Sequence, residues 1–233
     1  MIAARQTFLG RCGAKLPTAA DYVQDGLIAM WDGIENAGLG VHDQNATVWK
    51  DLTGNGHDLA LQSYTYWTDT ACAKDSRSSG RLAYRNENLT NVLSIECVFD
   101  MRSEVDNGQG RCFVQVQNSR SVMGWGLVGI RSRGAPSVMM DTTSNVLISQ
   151  FAASIVYAPS ESNDAIYFNG SRASTVASSG NWNLGSTLSV GGTGSSSTTI
   201  VGKCHSVRLY SRAITADEIA ANYAIDKARF NLP

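Results

Sequence analysis

The chain has 233 residues, 43% of them apolar, and nineteen Lys and Arg stand against twenty Asp and Glu for a formal net charge of −1. A chain of this length buries about 70–75% of its unfolded surface and needs neither metal nor disulfide to fold. Its balanced charge excludes general attraction to nucleic acid or to an anionic membrane, and no apolar run reaches the ~18–20 residues of a membrane span.

In chain order, Met1–Ala20 carries Arg5, Arg11 and Lys15 and no acid before Asp21. It lacks the continuous apolar core of a secretory signal, so it reads as an N-terminal arm, residues 1–20, on a chain made and folded in the cytoplasm. Residues 21–233 read as a single domain. Gly26–Trp31 is a first strand, apolar on both faces and therefore central. Thr47–Leu52 follows a polar loop and leads into a tight turn at Gly54-Asn55-Gly56. Ser63–Trp67 is an aromatic-rich strand, and CAKDSRSSG from Cys72 to Gly80 is loop.

Leu93, Ile95, Cys97, Phe99 and Met101 alternate with Ser94, Glu96, Asp100 and Arg102, a two-faced strand. Arg111–Gln117, Val122–Arg131, Ser137–Asp141, Val146–Tyr157 and Ala165–Phe168 are further strands, the last closing on Asn169-Gly170, a type I′ hairpin signal. Leu188–Gly191 and the GTGSSSTT loop lead to a closing strand. There Val201, Val207 and Leu209 alternate with Ser206 and Arg208, which places His205 on the face of Val207 and Leu209. Thr215 and Glu218 form a capping box, with Ile214 and Ile219 as its hydrophobic staple. The helix beyond has Ile219, Ala220, Tyr223 and Ala224 on one side and Asp217, Asn222 and Asp226 elsewhere. About 12–14 short strands and one helix fit two antiparallel sheets packed face to face.

GKCHSVRLYSRAITADEI, from Gly202 to Ile219, resembles the end of laminin-G-like jelly-roll domains of the concanavalin A-like lectin/glucanase superfamily. GLIAMWDG at Gly26–Gly33 and WKDLTGNGHDLAL at Trp49–Leu61 resemble the opening strand and turn of the same family, through Trp49, Asp51, Thr53, Gly54, Asn55 and Gly56. His57 departs from it, standing where the family often has asparagine. The two segments bracket most of the chain, and the middle matches in pattern alone. The resemblance implies an all-β fold, a two-sheet antiparallel β-sandwich (jelly roll) with one short C-terminal helix. It also implies lectin-like binding. Because laminin-G domains often hold calcium at a loop rim, Asp51, Asn55 and Asp58 become candidate ligands, although Asn-Gly and Asp are also what a tight turn requires. No cofactor or metal is assigned, with calcium at that turn as the alternative.

The superfamily also contains glycoside hydrolases, which need two carboxylates about 5–5.5 Å apart for retention or ~6.5–9.5 Å for inversion. Glu96, Asp100 and Glu104 come nearest. At ~3.3 Å per residue, Glu96 and Asp100 lie about 13 Å apart along one strand, so they read as a solvated outer face. No serine sits in a nucleophile elbow. Five cysteines at wide spacings, Cys12, Cys72, Cys97, Cys112 and Cys204, form no zinc pattern and read as small buried hydrophobes, with a Cys97–Cys112 bridge across one hairpin as the alternative.

Sugar binding draws on aromatic faces beside hydrogen-bonding side chains. Trp31 and Trp49 read as core. Tyr64, Trp67, Trp125 (in GWG) and Trp182 (in SSGNWN) are the ligand-binding candidates. The chain is therefore expected to be a non-catalytic carbohydrate- or cell-surface-recognition module, and a component of a phage or prophage virion. Its expected partners are a glycan or cell-surface ligand and, through the arm, other virion proteins, with neither nucleic acid nor membrane. A glycoside hydrolase of the same fold and a purely structural assembly protein are the alternatives.

Overall fold

A computed structural model describes residues 16–78, 80–87, 89–101, 110–117, 120–125, 129–133, 138–140, 150–156, 165–173, 175–177 and 187–233. Two antiparallel sheets face each other. The first contains β1 (Leu27–Asp32), β4 (Thr65–Thr68), β5 (Ala71–Lys74), β7 (Ser94–Met101), β12 (Gln150–Val156), β13 (Ala165–Phe168), β14 (Ser171–Arg172) and β17 (Gly202–Tyr210), in the order β14-β13-β12-β7-β17-β5-β4 with β1 also on β17. The second runs β15-β11-β10-β9-β8-β16-β6-β3-β2. Its strands are β2 (Val48–Trp49), β3 (Leu59–Leu61), β6 (Ala83–Arg85), β8 (Gly110–Gln117), β9 (Arg120–Trp125), β10 (Gly129–Arg133), β11 (Val138–Met140), β15 (Thr175–Ala177) and β16 (Leu188–Val190). Among the described residues no helix is long and apolar enough to cross a membrane.

The core lies between the sheets. Ile95, Cys97, Phe99 and Met101 of β7 face Phe113, Val114 and Val116 of β8, and Trp31 and Trp49 are both fully buried. Phe113 bridges the layers, 4.9 Å from Phe99 and 5.4 Å edge-on to Phe151. Cys97 and Cys112 stand on opposite sheets rather than across one hairpin, and Cys72, Cys97, Cys112 and Cys204 are all buried thiols. Asn169 and Gly170 have φ of 48° and 74°, the double left-handed turn expected of the β13–β14 hairpin. A Cβ on Gly170 would stand 2.6 Å from the Tyr223 ring, so glycine also lets the helix approach.

Seventeen strands are described, more than the 12–14 read from pattern. The stretch Val122–Arg131 divides into β9 and β10, which pair with each other, and Ala71–Lys74 is buried strand rather than loop. Its small side chains fit beside β17 and mask the strand signal. β1 is buried on both faces as expected, yet among the described residues it pairs with β17 alone.

The closing strand is the long member of its sheet. One edge of β17 pairs with β7 along its whole length, and the other takes β5 at Gly202–Cys204 and β1 at Ser206–Tyr210. A bulge between Cys204 and Ser206 inserts His205 as an extra residue. It breaks the simple alternation: Cys204 and Val207 both enter the core, while His205 turns to the outer face, its ring 5.2 Å from that of Phe230.

That outer face is covered by α1 (Ala216–Phe230). The Thr215 hydroxyl accepts from Glu218 N–H at 3.3 Å, the Glu218 carboxylate accepts from Thr215 N–H at 2.8 Å, and Ile214 and Ile219 share one cluster. The Arg212 guanidinium, 2.6 Å from Glu218, holds that carboxyl down at about 2. Replacing Thr215 by alanine is expected to cost about 1 kcal/mol in urea-induced unfolding, and no measurable loss would mean the box does not hold the helix start.

The stripe that α1 buries is Ile219, Asn222, Asp226 and Phe230. Asn222 and Asp226 thus lie inward, not on the solvent side expected for polar residues. Likewise Glu96 and Arg208, expected on a solvated strand face, are 2% and 1% exposed beneath the helix. Arg208 bonds Glu96 at 3.0 Å and Asp226 at 2.9 and 2.7 Å through its two terminal nitrogens. Glu96 also accepts from Asn222 (2.7 Å) and Ser154 (3.1 Å). Tyr22, lying under Arg208, donates to Asp226 at 2.8 Å. Burial pushes the Glu96 carboxyl above its ordinary range and the Tyr22 phenol well above its own.

Candidate functional site

Between Leu61 and Trp67 the chain turns sharply into β4, the terminal strand of the first sheet. Thr65 donates both its N–H and its hydroxyl to the Gln62 carbonyl. The turn so closed leaves Tyr64 at φ 63°, a left-handed conformation usually left to glycine. Tyr64 is 74% exposed, the most exposed large hydrophobic residue among those described. Tyr66, 38% exposed, stands two residues on and donates its hydroxyl to Asp75 at 3.0 Å.

Opposite them runs the Gln44–Thr47 segment. Trp67 joins the two, donating its indole N–H to the Ala46 carbonyl at 2.9 Å, with its ring edge-on to Trp49 at 5.4 Å. The result is a cleft of about 410 Å³ lined by Gln44, Asn45, Ala46, Thr47, Leu61, Gln62, Ser63, Tyr64, Thr65, Tyr66 and Trp67. That volume lies in the ~300–1,000 Å³ range of small-ligand sites.

Of the sequence-predicted ligand residues, the structure brings Tyr64 and Trp67 to this cleft. Trp67 is only 5% exposed and serves as its back wall. Trp125 lies in β9, with its side chain outside the described residues, as is the whole of Trp182. Sequence reasoning missed Gln44–Thr47, because only folding brings that polar loop to β4. Tyr66 belonged to the aromatic run but was not singled out.

The Asp51 turn is complete without a cation. Its carboxylate accepts from Met30 N–H, Thr53 N–H, the Thr53 hydroxyl and His57 N–H. Asp58 accepts from Asp51 N–H and pairs with Lys50 at 2.6 Å, and the Asn55 amide donates to the Ile28 carbonyl. These carboxylates are turned onto protein donors, so the trio does not fit the six to eight oxygens calcium takes. The described hydrolase candidates are each held by a cation. Glu96 is locked on Arg208 beneath α1, Asp100 lies 3.8 Å from Lys203, and Glu104 is outside the described residues.

A second cleft, about 400 Å³, lies where the N-terminal segment joins the body, between Leu16–Thr18 and Ile34, Glu35, Gly40, His42 and Arg229. Arg229 donates to the Pro17 carbonyl and pairs with Asp32 at 2.9 Å and Glu35 at 3.1 Å. Burial works to raise the Glu35 carboxyl, but N–H donors from Gly40 and Ala19, with Arg229, hold it below its ordinary value. Leu16, Leu39 and Val41 are exposed nearby.

A family model of the concanavalin A-like lectin/glucanase superfamily, laminin-G type, matches residues 105–220. The closing-strand motif falls wholly inside that span, and the Gly26–Leu61 motif before it. No curated protein sequence matches the chain. Among solved structures, a Trypanosoma rangeli sialidase in complex with sialic acid superposes with TM-score 0.57 at 14% identity. The superposition covers 93% of this chain but only 34% of the sialidase. Domain 4 of AbnA, an extracellular arabinanase from Geobacillus stearothermophilus in complex with arabinotriose, gives TM-score 0.57 at 15% identity over 85% of this chain and 98% of that one. The botulinum neurotoxin type G receptor-binding domain gives 0.57 at 14% identity, over 87% and 52%. At such identities the likeness is one of fold. With the matched span running from the β7–β8 connection into α1, and with two antiparallel sheets around one core, the chain is a laminin-G-like member of the concanavalin A-like lectin/glucanase superfamily.

Proposed function

We propose that the chain is a non-catalytic glycan-recognition module whose ligand lies in the cleft along β4. The observation that carries this reading is Tyr64, an exposed aromatic held at φ 63° at the cleft mouth. A bulky residue in the left-handed region costs of order 1 kcal/mol and persists where something other than stability retains it. Its ring offers an apolar face to sugar C–H groups, and Gln44, Asn45, Thr47 and Gln62 supply donors and acceptors for hydroxyls. Two of the fold's neighbours, an arabinanase domain with bound arabinotriose and a toxin receptor-binding domain, support a binding role for such a sandwich.

Tyr64→Gly separates binding from folding. It is expected to weaken glycan binding about tenfold or more, as loss of a central aromatic contact does, while raising stability by up to about 1 kcal/mol because glycine accepts the backbone angle. Glycan-array titration and urea unfolding of the two proteins give the readouts. Unchanged binding with raised stability would show that the ring is not the platform. Silence of the wild type on every glycan would remove the reading in favour of an assembly role, for which the exposed Leu16, Leu39 and Val41 are the supporting feature.

A further inference from the structure

We infer that the β4 cleft selects neutral glycans and rejects acidic ones, an inference that rests on the glycan-recognition reading of that cleft. No lining residue carries a formal charge: every polar one is an amide, a hydroxyl or a phenol. Two lining side chains are held from behind by carboxylates. Asp69 accepts from the Gln44 amide at 3.2 Å, and Asp75 accepts from the Tyr66 hydroxyl at 3.0 Å. Lys74, which faces Thr65 across the β4–β5 ladder, is fully buried and sends its ammonium to the Arg81 carbonyl at 2.8 Å.

A sialic or uronic acid carboxylate entering such a cleft gives up part of its hydration and meets no guanidinium or ammonium among the lining residues in return. It also approaches the carboxylates that hold Gln44 and Tyr66. Charge-assisted bonds are what ordinarily repay the desolvation of a sugar carboxylate, and an unpaired charge is an effective device for rejecting a ligand. A neutral sugar loses nothing by the absence of a cation, since amide and hydroxyl groups satisfy its hydroxyls.

The test uses the full chain and matched probes in calorimetric titration: arabinotriose and lactose as neutral ligands, and sialyllactose as the acidic counterpart of lactose. The expected result is binding of a neutral probe that Tyr64→Gly weakens about tenfold or more, with little dependence on salt, and sialyllactose weaker than lactose by about tenfold or more. Asn45→Arg, at an exposed lining position, should narrow that gap by supplying the missing cation. Sialyllactose bound as well as lactose, and equally weakened in Tyr64→Gly, overturns the neutral selection and leaves glycan recognition standing. An unchanged gap in Asn45→Arg also overturns it, since charge would then not be the discriminator. Absence of binding by every probe overturns glycan recognition and this inference with it.

Discussion

Replacing Arg208 by alanine is expected to destabilise the protein by about 3–5 kcal/mol, the usual cost of removing one partner from a buried ion pair. Two carboxylates, Glu96 and Asp226, converge on that guanidinium, and all three side chains are at most 2% exposed. Without it, two buried like charges face each other, and the hydrogen bonds from Asn222, Ser154 and Tyr22 cannot compensate. For a domain with a typical total stability of about 5–15 kcal/mol the loss is a large fraction. Urea unfolding measures it, and a loss below about 1 kcal/mol would mean that water reaches the site or that the carboxyls take up protons instead. The triple variant Glu96→Met, Arg208→Leu, Asp226→Leu is expected to recover most of the loss, because well-packed apolar replacements of such triads are often neutral or stabilising. The network would then serve to fix the seat of α1 on the sheet rather than to add net stability.

Acid should weaken the fold through His205 between about pH 6.5 and 4. Burial drives the imidazole pKa down from 6.5 to about 4, against the hydrogen bond to the Thr70 carbonyl and the charge of Asp100, and with Lys203 acting in the same direction as burial. The partners fix the neutral form: Nδ1–H donates to Thr70 at 3.1 Å, and Nε2 faces the Gln150 amide nitrogen at 3.3 Å, so a proton on Nε2 would meet a donor. Because the unfolded state takes up the proton first, stability is retained above 6.5 and falls as pH drops towards 4. At 1.36 kcal/mol per pKa unit the decrement approaches about 3 kcal/mol. His205→Gln should remove that part of the slope while keeping a donor for Thr70. Identical pH profiles for the two proteins in urea unfolding would show that His205 takes up its proton as readily in the native state as in the unfolded one.

The fold was legible where local chemistry and tertiary structure agree. Thr215 and Glu218 mark the helix start by themselves, Asn169-Gly170 dictates its turn, and the odd residues of β7 enter the core as their alternation says. It was not legible where a later element redefines a face. Glu96 and Arg208 are polar residues on a two-faced strand, which ordinarily means solvent. They are buried because α1 brings its own Asn222 and Asp226 to meet them, and no periodicity in either segment announces that pairing. His205 was misplaced because one inserted residue reverses parity beyond it. At the β4 cleft, Tyr64 and Trp67 stood out by composition, but the opposing wall, Gln44–Thr47, comes from a stretch whose polarity said only loop.

The position of β17 at the middle of the first sheet also governs how the chain is made. Leu27 finds its partner in Tyr210 and Cys72 finds its partner in Cys204, so β1, β5 and β7 all emerge from the ribosome long before the strand that unites them. Such distant pairings make for slow closure and leave strand edges open in the meantime. This sheet is therefore completed only once β17 has emerged, and until then the nascent chain depends on whatever shields β7 from pairing with its neighbours.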